Sequence, residues 1–308
     1  MRRALAFAAV LLVSTGALYL AQRRTGPEVV SPNALVDVIA DWQRDISRAP
    51  LRASRISDDE ETRIGDELAA QYGSVQPALT PEARALERYV KQVGGRVAAH
   101  AKRKLAYRFH LIPGGDFINA FALPGGHVFI GQGLLDQLTS EDELAFVLGH
   151  EIEHVDHYHA AERVQIEARL KHLNLDVVAA IAQIPISLWQ AGYSKAQEFE
   201  ADREGLRLAV AASYSAQGAV KLLEKFTRLD REYVIHAETP TDELSQLTID
   251  GLMGYFRSHP LSSERLAQAK AVIAQDRLST KQPLKPFHLE YEVTSGGQKA
   301  ERATEPQR

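Results

Sequence analysis

Two histidines with a glutamate between them interrupt an otherwise apolar helical segment, and this feature constrains the fold more than any other. Apolar residues recur at intervals of three and four up to His150, and His154 follows four residues later. Residues four apart share one face of an α-helix, so both imidazoles can bind one metal ion while Glu151 stands beside it as a general base. Such side chains are costly to bury without a function. The segment therefore predicts a buried helix that carries a metal site.

The residue types present in the chain restrict what can complete that site. The sequence contains no cysteine, which excludes disulfides, cysteine nucleophiles and thiolate zinc ligands. A catalytic zinc ion takes three protein ligands and keeps one open position. A longer motif that supplies the third ligand from the same segment requires glycine and histidine where this chain has His157 and Ala160. The third ligand must therefore come from elsewhere.

An acidic pair further along the chain can supply it. Glu198 and Asp202 are four residues apart in a helical segment and share one face, whereas Glu200 lies on another side. Glu198 can bind the metal, and Asp202 can accept a hydrogen bond from a ligating imidazole and fix its tautomer. The alternative interpretation is an ordinary solvated acidic helix. The preceding histidine motif favours the metal site.

Three motifs in this order resemble those of one family of zinc metallopeptidases. They are His150-Glu-x-x-His154, Glu198-x-x-Ala201-Asp202 and Ser258-His259-Pro260-x-x-x-x-Arg265. The family includes the CAAX prenyl protease, HtpX and mitochondrial Oma groups, and the chain is most similar to its bacterial periplasmic, BepA/LoiP-like branch. The resemblance covers residues 58–278, including the segment 119–130 before the active-site helix.

The resemblance implies a gluzincin endopeptidase that holds one zinc ion per chain and hydrolyses polypeptides. By this resemblance the zinc ligands are His150, His154 and Glu198. Glu151 is then the general base, and Asp202 supports a ligating imidazole. In such a site zinc activates water and stabilises the oxyanion, while the base moves the proton.

Two further residues of the motifs leave alternatives open. By the resemblance His259 is a candidate switch that closes the open zinc position; the alternative is a histidine at the entry of a helix with Pro260 in its first turn. By the same resemblance Arg265 is a candidate for binding the oxyanion or a substrate carbonyl; the alternative is an ordinary salt bridge. His159 matches a frequent family position, whereas Tyr158 replaces the arginine often found before it. That departure leaves the local support of the active-site helix open.

Periodicity outlines the fold around these motifs. Capping residues predict helices that begin at Ser31, at Ser57 and at Thr80, and a long helical region extends from Ser140 to about Gln275. Between them lie three strand patterns, at residues 105–111, 117–121 and 127–130. The third is either an edge strand that pairs with an extended substrate or part of the core. We therefore predict an α+β fold, mainly α, with one short sheet beside a helical core.

The composition divides the chain into four parts. Residues 1–24 hold an uncharged run between arginine pairs, typical of a signal peptide or an N-terminal membrane anchor. Residues 25–57 are predicted as a linker with a helix, residues 58–278 as the peptidase domain and residues 279–308 as a disordered tail. The uncharged stretch 177–194 contains Pro185, which favours a buried or membrane-facing helix over a membrane span.

These features favour an enzyme of the cell envelope. The expected location is the periplasmic face, either anchored to the inner membrane or released after signal cleavage. The resemblance implies that the substrates are unfolded or mistargeted polypeptides. The formal net charge of −4 provides no basic field for nucleic acid. The alternative function is a chaperone or assembly factor that keeps a gated, rarely used protease site.

Overall fold

The computed structural model describes residues 56–74, 79–170, 193–232, 259, 263–280 and 282–287 of the 308-residue chain. All of them fall in one compact unit, Ser47–Arg308. The predicted N-terminal signal or anchor, the helix from Ser31 and most of the stretch 177–194 lie outside the described residues. None of the helices within those ranges has the length and apolar character needed to cross a membrane.

The described part of the chain forms eight α-helices and one small sheet. The helices are α1 (Asp58–Ser74), α2 (Pro81–Ala98), α3 (Gln132–Leu135), α4 (Glu141–Asp156), α5 (His159–Leu170), α6 (Lys195–Ala211), α7 (Ala216–Glu232) and α8 (Ser263–Gln275). The strands are β1 (Arg108–Ile112), β2 (Ala120–Leu123) and β3 (His127–Gly131). The predicted α+β class, mainly α with one short sheet, is confirmed.

The order of the strands distinguishes between the two interpretations of the third strand. The sheet order is β1-β3-β2, with β3 parallel to β1 and antiparallel to β2. The third strand therefore pairs on both sides, which favours the core interpretation over the edge strand. Alternation along a strand reveals which residues share a face, but not which neighbours the strand has.

The two faces of the sheet bury different sets of residues. Phe121 and Phe129 point to the side that holds Tyr72 of α1 and Val164 of α5. Alternate positions, such as Val128, join the larger core formed with α2, α4, α6, α7 and α8. The period of two along each strand thus places one helical layer on each face. Helix α4 lies inside the larger layer, and all of its residues are buried.

Both ends of α4 are fixed by side chains. At its beginning Ser140 accepts a hydrogen bond from the backbone N–H of Glu143, as an N-cap does. At its end the Arg103 guanidinium donates to the carbonyl of Val155 at 2.8 Å, and the carboxylate of Asp156 accepts from the backbone N–H of Arg103 at 3.1 Å. Because a buried helix cannot satisfy its terminal groups with water, these bonds hold the register of α4.

Helices α4 and α6 approach each other closely through two glycines. A Cβ atom on Gly149 would lie 2.6 Å from the carbonyl oxygen of Gly205, and a Cβ atom on Gly205 would lie 2.6 Å from the backbone nitrogen of His150. Only glycine permits this separation of the two backbones. The contact brings the residues that follow on α4 against the start of α6.

A segment beyond the predicted domain boundary packs against the same helix. The backbone N–H of Lys285 donates to Asp142 Oδ2 at 2.6 Å, and its carbonyl accepts from the N–H of Glu141 at 2.8 Å. The rings of Phe287 and Tyr89 lie with their centroids 6.0 Å apart. The packed structure therefore extends at least to Phe287, beyond the boundary expected at residue 278.

Candidate metal centre

Four buried side chains converge at the middle of the molecule. His150 and His154 come from α4, Glu198 comes from the first turn of α6, and His259 precedes α8. One nitrogen or oxygen atom from each of the four lies within 4.8 Å of the others. Each of these residues was selected from the sequence, and the structure brings all of them together.

The distances between these atoms suit a tetrahedral ion. The Nε2 atoms of His150 and His154 are 3.0 Å apart, and the Glu198 carboxylate oxygens lie 3.5 Å from each of them. His259 Nδ1 is 3.1 Å from both His150 Nε2 and Glu198 Oε1. Ligand atoms about 2.0–2.1 Å from a tetrahedral zinc ion lie about 3.3 Å from one another, and these separations are close to that value.

The environment of His150 indicates which of its nitrogens faces the centre. His150 Nδ1 lies 3.0 Å from Asp202 Oδ1, and Asp202 is held by Arg265. Burial acts to raise the pKa of Asp202, but Arg265 and the hydrogen bond from His150 hold it below its usual range. A carboxylate at Nδ1 favours the tautomer with its proton there, which leaves the Nε2 lone pair directed at the other ligand atoms.

His154 faces the same centre in a neutral state. Burial lowers its pKa well below the usual range, although the hydrogen bond with Glu198 opposes the shift. Burial also acts to raise the pKa of Glu198, but the charges of His259 and Arg265 outweigh it, and the pKa lies well below its usual range. Two imidazole nitrogens and one carboxylate without a proton between them repel one another unless a cation joins them. The donor set therefore fits a divalent metal ion.

Glu151 lies beside this cluster on the same helix. Its carboxylate is fully buried, Oε1 lies 3.3 Å from His259 Nε2, and neither oxygen has a hydrogen-bond partner among the described residues. Burial raises the pKa of Glu151, although the neighbouring His259 and His150 oppose the shift. A buried carboxylate without a hydrogen-bond partner is costly to keep, and its position suits a group that exchanges a proton.

Arg265 is fully engaged with groups that surround the centre. It is 2% exposed, it donates to both oxygens of Asp202, and a further nitrogen donates to the carbonyl of His259 at 3.2 Å. The same nitrogen lies 3.3 Å from Glu198 Oε2. Of the two interpretations left open by the sequence, these contacts favour the buried ion pair over an oxyanion ligand.

Sequence reasoning missed two residues that line the centre. The ring of Tyr193 stacks on His154 with centroids 3.7 Å apart, and the Arg163 guanidinium lies 3.8 Å from the centroid of the Tyr193 ring. Tyr193 belongs to the uncharged stretch interpreted as a buried or membrane-facing helix. Its polar ring in an apolar run was the only available signal, because no spacing relates it to the histidine motif.

The family model that describes "Peptidase family M48" matches residues 84–273. This range covers more than half of the chain and includes all four converging residues. The chain belongs to peptidase family M48. The predicted family and the prediction of a metallopeptidase are thereby confirmed.

Named relatives of this M48 peptidase come from bacteria and mitochondria. It is 28% identical to the beta-barrel assembly-enhancing protease of Escherichia coli strain K12, over 79% of this chain and 50% of that protein. It is 27% identical to the Yersinia pestis protein of the same name, over 70% of this chain and 44% of that one. It is 38% identical to the mitochondrial metalloendopeptidase OMA1 of Bos taurus, over 33% of this chain and 23% of that protein. The chain spans about half the length of the bacterial relatives.

Proposed function

We propose that this M48 peptidase is a zinc-dependent endopeptidase that hydrolyses peptide bonds in polypeptide substrates. The observation that carries the proposal is the convergence of His150, His154 and Glu198 beside the buried carboxylate of Glu151. Zinc is favoured because the converging donors are imidazoles and a carboxylate, which are zinc's usual ligands where cysteine is absent. The named relatives include proteases and metalloendopeptidases, which supports the same reaction class.

Each residue of the site has a different role in the proposed peptide hydrolysis. His150, His154 and Glu198 would hold the zinc ion, which would supply a Lewis acid that makes water more acidic at the site. Glu151 accepts the proton of the attacking water and delivers it to the leaving amine. Its raised pKa keeps it able to give the proton back. Asp202 and Arg265 hold His150 in the tautomer that the reaction requires.

His259 adds a gate to this site. Its imidazole lies against His150, Glu198 and Glu151, where an attacking water and a substrate carbonyl have to enter. A catalytic zinc site needs an open position, and an imidazole at this point closes it. We propose that the structure represents a closed state and that His259 must move before cleavage.

The expected location and substrates follow from the sequence and from the relatives' names. We propose that the protein acts at the periplasmic face of the cell envelope, held by or released from its N-terminal segment. Its proposed substrates are unfolded or mistargeted polypeptides, as in protein quality control. The name of the Escherichia coli relative, an assembly-enhancing protease, supports an envelope setting.

Casein cleavage by the full-length chain tests the proposed activity. Glu151→Gln should retain zinc and lose at least about 100-fold in activity, since general acid–base catalysis contributes about 10²–10⁴-fold. Glu153→Gln is the matched control, because it is buried on the same helix with its carboxylate beside His157 at 3.0 Å. Burial raises the pKa of Glu153, so a neutral amide should be tolerated there. Cleavage of casein by Glu151→Gln at the wild-type rate contradicts the proposal.

The closed arrangement at His259 also supports the second candidate function, a chaperone or assembly factor whose protease site opens rarely. Complementation of a strain that lacks the protein separates the two. Full function of Glu151→Gln in such a strain favours the chaperone. Loss of function with normal protein levels favours the endopeptidase.

A further inference from the structure

We propose that His159, braced by Glu200, is a positioning residue that fixes the tautomer and orientation of the zinc ligand His154. This inference rests on the proposed zinc site and assigns a function to residues outside the ligand set. His154 Nδ1 lies 3.0 Å from His159 Nδ1, and His159 Nε2 lies 3.4 Å from Glu200 Oε2.

A regular helix cannot bring these two histidines together. Positions five apart on a helix with 3.6 residues per turn point about 140° away from each other. Here α4 ends at Asp156, Tyr158 adopts a left-handed backbone with φ of 61°, and α5 begins at His159. The break turns His159 back onto His154.

The break at Tyr158 is supported by its surroundings. A bulky residue with positive φ is strained and persists only where neighbouring groups hold it, often beside a functional site. The guanidinium of Arg103 lies 3.9 Å from the centroid of the Tyr158 ring, and the same guanidinium donates to the carbonyl of Val155 at the end of α4. The strained turn is thus tied to the helix that carries both histidine ligands.

A metal ion bound to His154 would determine which atoms donate and which accept in the series His154, His159 and Glu200. If His154 binds the metal through Nε2, its Nδ1 carries the proton and donates to His159 Nδ1. His159 then carries its own proton on Nε2, directed at the Glu200 carboxylate. The arrangement parallels the one at His150, where Asp202 accepts directly from Nδ1. One helix, α6, therefore supplies a zinc ligand and both carboxylates that orient the two imidazoles.

Other contacts of Glu200 are consistent with a bracing function. Its second oxygen lies 3.3 Å from His157 Nδ1, and the same oxygen lies 3.9 Å from a guanidinium nitrogen of Arg203. His159 itself is buried, with 2% exposure, whereas Glu200 is only partly buried. The carboxylate is therefore held from three sides at the rim, while the imidazole between it and His154 is fixed inside.

Zinc affinity of the full-length chain, measured by competition with a chromogenic chelator, tests the inference. His159→Leu removes the acceptor and should weaken zinc binding about 10–100-fold, the usual loss when a partner of a metal ligand is removed. His159→Asn places an oxygen near the position of Nδ1 and should recover most of the affinity. Glu200→Gln should weaken zinc binding by an amount near the lower end of that range. Glu204→Gln is the matched control, since its carboxylate pairs with Arg207 on the same helix.

Two further measurements separate positioning from plain packing. The melting temperature of each metal-free variant shows how much of the change belongs to the fold rather than to the metal. Long-range ¹H–¹⁵N NMR of the zinc-loaded wild type should show the proton of His154 on Nδ1 and that of His159 on Nε2. Because Glu200 is at the rim, Glu200→Gln keeps the test available if His159→Leu does not fold.

The outcomes distinguish this inference from the proposed function. Wild-type affinity in both His159→Leu and Glu200→Gln overturns the inference while leaving the zinc site in place. Equal losses in His159→Leu and His159→Asn, or a His154 proton on Nε2, also overturn it. A wild type that binds no zinc overturns the proposed function and this inference with it.

Discussion

Arg265 donates two hydrogen bonds of 2.6 Å to Asp202, one to each carboxylate oxygen, and Asp202 Oδ1 also lies 3.0 Å from His150 Nδ1. All three side chains are buried. The orientation of a candidate zinc ligand on α4 thus depends on an ion pair between α6 and α8. The contact explains why the arginine of the third motif lies near the centre.

Replacing Arg265 should therefore destabilise the whole fold. Arg265→Met leaves Asp202 as an unpaired buried charge, which we expect to lower the free energy of unfolding at neutral pH by about 3–5 kcal/mol. Arg207→Met is the control, because Arg207 is 37% exposed and its ion pairs with Glu204 and Asp276 contribute about 0–1 kcal/mol. Urea unfolding measures both. If Arg265→Met lowers the free energy of unfolding by no more than Arg207→Met does, the buried ion pair between Arg265 and Asp202 is contradicted.

The ion pair between Arg265 and Asp202 predicts that the stability of the fold depends on pH. The pKa of Asp202 lies below its usual range, so its contribution to stability is present above the unfolded pKa of about 3.9 and is lost as the pH falls through the folded pKa. In Arg265→Met the burial of Asp202 raises that pKa instead. The difference in stability between wild type and variant should shrink as the pH decreases from neutral toward about 4. A difference that stays constant over this range contradicts the coupling.

The close approach of α4 and α6 predicts that an alanine at Gly205 is destabilising. The same substitution at Gly95, on α2 and away from this contact, should have the opposite effect. Gly205→Ala places a methyl group 2.6 Å from the backbone nitrogen of His150 and should cost about 1–3 kcal/mol by forcing the helices apart. Zinc affinity should fall with it, since the two helices hold the ligands. Gly95→Ala has open space around the new methyl group and should stabilise α2 by about 0.5–1 kcal/mol. Melting temperatures that shift in the same direction for both variants argue against this packing.

The proposed gate predicts that His259→Ala cleaves casein faster than wild type. Removing the imidazole opens the position between Glu198 and Glu151 that the closed state fills. Zinc should remain bound through the other three ligands. A decrease in cleavage with zinc retained assigns His259 to the reaction itself and contradicts the gate.

The anchoring of the segment around Lys285 is tested at Asp142. Its carboxylate, buried on α4, accepts the backbone N–H groups of Ser215 and Lys285, each at 2.6 Å. Asp142→Leu leaves both donors without a partner, at about 1–3 kcal/mol each. Asp136 is exposed, so Asp136→Leu serves as the control. Differential scanning calorimetry should show a lower melting temperature for Asp142→Leu alone, and unchanged melting contradicts the anchoring.

The sequence predicted those parts of the site that depend on local spacing. The pair His150 and His154 follows from helix geometry, and Glu198 and Asp202 follow from the same period on a second helix. The N-caps at Ser57 and Thr80 likewise place the starts of α1 and α2, and hydrogen bonds to both side chains are present. These features need no knowledge of the fold.

Contacts made by tertiary packing could not be predicted in this way. The central position of β3 depends on which strands pair, and the stacking of Tyr193 on His154 joins segments that no periodicity connects. The left-handed turn at Tyr158, where glycine or asparagine is the usual choice, gave no sequence signal. The composition around Lys285 suggested a tail because its bonds to α4 use the backbone, which composition does not report.

Zinc content after extensive dialysis tests the central claim most directly. We expect one zinc ion per chain in the full-length wild type and in the control Glu204→Ala, and a loss of most of the metal in Glu198→Ala. A wild type without zinc, or a Glu198→Ala variant that keeps it fully, contradicts the metal centre described here.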